Sequence, residues 1–116
     1  MKIVSWLKRQ VASSVKVYPF VSDSKFHAQF ARKGNILVIG YNPSISAAQR
    51  DLALCHEFVH LKQSLSGDLV ITYDGAQTRY VWRGEDLTHL PYASRPWEIE
   101  ARQGALELYN TYLYDY

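Results

Sequence analysis

Apolar and polar positions divide this chain into segments of differing period. From Met1 to Ser13, Ile3, Val4, Leu7 and Val11 recur at helical spacing, with Lys2, Lys8 and Arg9 elsewhere, so an amphipathic helix is expected. Val15 to Phe20 alternates and ends in Pro19-Phe20, the pattern of a short edge strand. Lys25 to Ala31 and Asn35 to Tyr41 flank Arg32-Lys33-Gly34, a hairpin signal with Gly34 at the turn. The run Ile36-Leu37-Val38-Ile39 suits an interior strand. No proline or glycine interrupts Ile45 to Ser66, where Ile45, Ala48, Leu52, Cys55, Val59 and Gln63 form one stripe, widened by Leu54, Phe58 and Leu61. A long helix is expected there, with Ser44 as N-cap and Gly67 as its stop. Asp68 to Tyr73 and Gln77 to Arg83 bracket Asp74-Gly75 as a second hairpin. Pro96 suits the first turn of a last helix running to about Tyr114. The order α-β-β-β-α-β-β-α predicts an α+β fold, with helices packed on a small, mostly antiparallel sheet.

Size and composition narrow the picture. A chain of 116 residues predicts one domain over 1–116, without room for a separate substrate-binding lobe. Its 47% hydrophobic and 21% charged residues are ordinary for a folded protein. The net charge of +2 gives no evident case for nucleic acid, although seven of the 13 Lys and Arg fall within residues 1–33. That uneven charge reads first as complementarity within the fold. The single cysteine, Cys55, excludes an internal disulfide and a multi-cysteine metal cluster within one chain. It adjoins His56, but neighbouring helix positions point about 100° apart, so a Cys-His nucleophile is not expected. The apolar run before Lys8 is too brief for a signal sequence, and no stretch suffices to span a membrane. A cytoplasmic protein is expected.

The chemistry is concentrated at His56-Glu57-Phe58-Val59-His60, an HExxH motif within the long helical segment. On a helix, residues i and i+4 lie about 40° apart, so both imidazoles can reach one ion. Glu57 falls to the side of the pair, where its carboxylate can accept a proton from a water at that ion. Two metal ligands and a general base thus arise from little more than one turn. Lys62 departs from the apolar residue usual two places after the second histidine in thermolysin-like motifs.

Catalytic zinc ordinarily takes three protein ligands and leaves a fourth position for water. The metzincin extension HExxHxxGxxH fails here, because Gln63 and Ser66 stand where Gly and His are required. His89, Glu85, Asp86, Glu98 and Glu100 remain as candidates. Together with Pro96-Trp97-Glu98-Ile99-Glu100-Ala101, the HExxH motif resembles minimal gluzincin-type zinc metallopeptidases of bacteria and phages, over roughly Ile45 to Leu108. The resemblance implies a zincin-like fold, with Zn²⁺ held by His56, His60 and a glutamate of a second helix. Many gluzincins place an Asp four residues after that glutamate to orient a zinc histidine. This chain has Arg102 there.

Helical geometry separately favours Glu98 over Glu100. Trp97, Ala101, Ala105, Leu108 and Tyr112 form the apolar face, which Glu98 borders, whereas Glu100 falls with Gln103, Glu107 and Thr111. Small Ala101 and Ala105 would allow a close approach between the two helices. His89, in a loop, and His27, in a strand, are expected to be structural or exposed. Tyr80 and Tyr92 are candidates for hydrogen-bonding a developing oxyanion. The expected function is zinc-dependent hydrolysis of peptide bonds in a peptide or protein substrate. Zn²⁺ would sit on His56, His60 and Glu98, and Glu57 would act as general base. An extended substrate could add to a sheet edge near Lys25 to Ala31. The alternatives are another zinc amidohydrolase, such as one cutting peptidoglycan crosslinks, and a non-enzymatic zinc-stabilised interaction module.

Overall fold

The computed structural model describes residues 2–10, 16–21, 28–33, 36–41 and 45–115, the strands among residues 16–41 as backbone. The expectations for Val11, His27, Gly34 and Ser44 lie outside these described positions or side chains.

Helix α2, Ala47–Ser66, organises the rest. Ser46 caps its N-terminus in an extended conformation and accepts a bond from the Gln49 amide at 3.1 Å. The Ser46 amide donates in turn to Gln49 Oε1 at 3.2 Å, a reciprocal capping box. The cap is therefore Ser46, two residues later than the sequence suggests. Gly67 ends the helix at φ 82°, where a side chain would be strained.

Helix α3, Pro96–Asp115, packs along α2. Ala101 and Ala105 are buried as expected, and Gly104 also makes a close approach. A Cβ at Gly104 would lie 3.1 Å from Val59 Cγ2. Helix α1, Lys2–Arg9, is amphipathic, with Ile3, Val4, Trp6 and Leu7 buried. They join Leu54, Cys55, Phe58, Leu61, Ala105 and Tyr112 in the main core. Trp6 Nε1 donates to Asp115 Oδ2 at 2.9 Å, tying the two ends of the described chain together. Cys55 is fully buried. Burial, then the charge of Asp51, pushes its thiol up to about 12, so it is an inert packing residue.

The strands form two three-stranded sheets rather than one. Strands β1 (Lys16–Val21), β2 (Ala28–Lys33) and β3 (Ile36–Tyr41) lie in the order β1-β3-β2. The apolar β3 is central and β1 is an edge, as their patterns suggest. β2 pairs antiparallel with β3, whereas β1 pairs parallel to it. The 20-residue α2, roughly 30 Å long, connects the two sheets, and β4 begins the second. Strands β4 (Leu69–Asp74), β5 (Gln77–Trp82) and β6 (Glu85–Asp86) are wholly antiparallel. Arg83 and Gly84, at φ 49° and 85°, make the tight β5–β6 turn. The Arg83 guanidinium lies 4.8 Å from the centre of the Trp82 ring. Leu69, Trp82 and Trp97 form a second core beneath this sheet and steady the start of α3. Among the described residues, no helix is long and apolar enough to cross a membrane.

The contact at Gly104 makes a testable point. Gly104→Val should destabilise the protein by about 1–3 kcal/mol through overpacking against Val59. Urea unfolding measures this directly, and an unchanged midpoint would show that the interhelical space is not tight.

Candidate metal centre

The two histidines of α2 meet one carboxylate of α3. His56 and His60 occupy successive turns of the same helix face, with their Nε2 atoms 3.2 Å apart. Glu98 enters from the first turn of α3, with Oε2 3.1 Å from His56 Nε2 and Oε1 3.0 Å from His60 Nε2. Pro96 opens that turn, and Trp97, 1% exposed, fixes its rotation by packing into the second core. Glu98 and His60 are buried, and His56 is partly exposed.

These distances suit a metal. Ligand atoms about 2.05 Å from a tetrahedral zinc lie roughly 3.3 Å from one another, close to the spacings found here. His56, His60 and Glu98 can hold a metal ion among the described residues, with no fourth protein donor grouped with them.

The hydrogen bonds around His60 also suit a ligand. Gln63 Nε2 donates to the Trp97 carbonyl at 3.0 Å and to Glu100 Oε1 at 3.1 Å. Both amide hydrogens are thereby directed at acceptors, so Oε1 must be the atom facing His60 Nδ1, at 2.8 Å. An oxygen can only accept, so Nδ1 carries a proton, which leaves Nε2 as the atom that donates to Glu98 when the ring is charged and is free to ligate a metal when the ring is neutral. Gln63, which fails the metzincin pattern, thus supplies the histidine-orienting bond that Arg102 cannot. Glu100 is the next link outward, beyond the His56, His60 and Glu98 group; its other oxygen lies 3.5 Å from Arg83 Nη2.

Electrostatics favour a cation at this point. Burial raises the Glu57 carboxyl above the ordinary range and the Glu98 charge adds to this, while His60 and His56 oppose it. Burial also works against a charged Glu98, yet hydrogen bonds with His56, His60 and Tyr92 hold its carboxyl well below the usual range. On His60, burial disfavours the proton, but bonds to Glu98 and Gln63 and the charges of Glu98 and Glu57 raise the ring's pKa overall. Two carboxylates therefore draw positive charge to one half-buried position. Tyr92 donates from its hydroxyl to Glu98 Oε2 at 2.8 Å. Burial and that bond push its pKa up to about 12, so it stays a donor at neutral pH.

Comparison with protein-family models, curated proteins and solved structures finds no match. The geometry therefore has to carry the functional reading.

The remaining candidates stand away from the centre. His89 is exposed. Asp86 receives bonds from Arg79 and Thr88, and Glu85 is exposed on β6. Tyr80 stacks on Trp97 with ring centres 5.4 Å apart, in the second core. Of the two tyrosines considered, only Tyr92 reaches the candidate ligands.

The bond from Gln63 to His60 predicts a measurable loss. Gln63→Leu should weaken metal affinity by about 10–100-fold by releasing the ring from its orientation. Competition against a chromophoric chelator measures this, and an unchanged affinity would show that Gln63 only packs.

Proposed function

We propose that this protein is a small zinc-dependent metallopeptidase of gluzincin type. The convergence of the His56, His60 and Glu98 ligand atoms carries the reading, with the base-forming Glu57 adjoining the pair in the helix. The mixed imidazole and carboxylate donor set suits zinc. Three protein donors among the described residues favour a catalytic site over a zinc staple, which ordinarily takes four. When bound, zinc supplies Lewis acidity, which lowers the pKa of water to near 7 and polarises a scissile carbonyl.

The chain's own residues perform the rest. His60 is held in its ligating tautomer by Gln63, and Glu98 is steadied by Tyr92. Glu57 accepts the proton of the attacking water at its carboxylate, then passes it to the nitrogen of the leaving amine. Partial burial makes this carboxylate a stronger base than an exposed glutamate. Its i+1 position beside His56 keeps it from competing as a ligand.

The experiment is a peptide-library digestion by zinc-loaded protein, read by mass spectrometry, with a parallel digestion of crosslinked cell-wall peptides. Wild type should cleave peptide bonds, and removing the metal with a chelator should stop it. Glu57→Gln should retain zinc while losing about 100-fold or more in rate, because the amide keeps the shape but not the basicity. Equal rates for Glu57→Gln and wild type would refute the mechanism. Cleavage confined to cell-wall crosslinks would redirect the substrate class, and no cleavage in either digestion would count against hydrolysis.

A further inference from the structure

Arg102 is the residue where the chain departs most plainly from the gluzincin pattern, and its surroundings suggest a use. It lies four residues after Glu98 on α3, so their Cβ atoms are about 5–6 Å apart on one helix face. Helical side chains lean toward the N-terminus, which tilts Arg102 over the turn that carries Glu98. The residue is exposed. Its spacing suits an ion pair with Glu98, but that carboxylate is turned inward onto His56, His60 and Tyr92. Among the described residues, no acidic group pairs with Arg102, whereas Arg50, Arg79 and Arg83 each have a carboxylate partner. Its charge nevertheless reaches the Tyr92 hydroxyl and opposes the rise in that group's pKa.

Charge matching gives this unpaired guanidinium its meaning. A divalent cation at the centre would balance Glu57 and Glu98, which leaves Arg102 as an exposed positive charge close to Tyr92, whereas Arg95, also without a carboxylate partner, lies over the rings of Tyr80, Tyr92 and Trp97. A guanidinium presents its donors in a planar fork suited to a carboxylate.

Resting on the metallopeptidase reading above, we propose that Arg102 forms a carboxylate-binding subsite, so that the enzyme selects substrates with an anionic group beside the scissile bond. That carboxylate can be a free C-terminus or an Asp or Glu side chain. The two sources share the same chemistry at Arg102 and are distinguished by the test.

The test uses full-length protein loaded with cobalt and three hydroxamates on one scaffold. Succinyl hydroxamate is joined to phenylalanine with a free C-terminus, to phenylalanine amide, or to aspartic acid with an amidated C-terminus. Binding is followed by cobalt d–d absorption. At least one carboxylated probe should bind about 5-fold or more tighter than the phenylalanine amide, a modest figure because the pair is partly exposed. Preference for the free C-terminus would identify an exopeptidase-like subsite, and preference for the aspartyl probe an acidic side-chain pocket. Arg102→Gln should lose the preference while the cobalt spectrum before addition of probe stays unchanged, and Arg102→Lys should restore part of it. Equal affinity for all three probes, or a preference that survives Arg102→Gln, would overturn the proposal. Failure to bind cobalt would instead overturn the metal centre, and the subsite with it.

Discussion

The structure around the candidate site depends on one contact, that of the Glu98 carboxylate with the two imidazoles of α2. Each Glu98 oxygen faces a different histidine, at 3.1 and 3.0 Å. Holding an ionised carboxylate in a buried position is costly unless it is well paired. Its pairing therefore constrains how far apart α2 and α3 can lie and how α3 is rotated. Ala101, Ala105 and Gly104 provide the closeness, and Trp97 provides the rotation.

The surrounding bonds form a chain rather than a collection. Arg83 contacts Glu100, Glu100 accepts from Gln63, and Gln63 accepts from His60. On the other side Tyr92 donates to Glu98. The second sheet thus has a structural reason to lie where it does. Its Trp82 packs near Trp97, with ring centres 6.2 Å apart, and its final turn carries Arg83 toward the outer end of the relay. Ordering of the sheet and precision at the ligands are coupled through these few side chains.

Much of this was legible in the sequence because it depends on local periodicity. The HExxH spacing placed both histidines on one face of α2, and the apolar phase of α3 separated Glu98 from Glu100. The β4–β5 hairpin followed from Asp74-Gly75 between strand-like runs. Other features depended on neighbours distant in the chain. Gln63 looked like a failed metzincin glycine, because its role arises only when Trp97 and Glu100, more than 30 residues later, come beside it. Strand β6 has no plain signal in the sequence because its turn places Arg83 in a left-handed conformation uncommon for a non-glycine residue. The division into two sheets rests on strand pairing between segments distant in the chain, and the role of Gly104 shows only against Val59.

The most direct test of the central claim is X-ray absorption at the zinc edge of the loaded wild-type protein, with metal content measured on the same sample. The account predicts one zinc per chain, bound by two imidazole nitrogens and a carboxylate oxygen at about 2.0–2.2 Å, with a further light-atom scatterer from solvent. A sulfur ligand at about 2.3 Å, a single histidine, or zinc well below one per chain would contradict it.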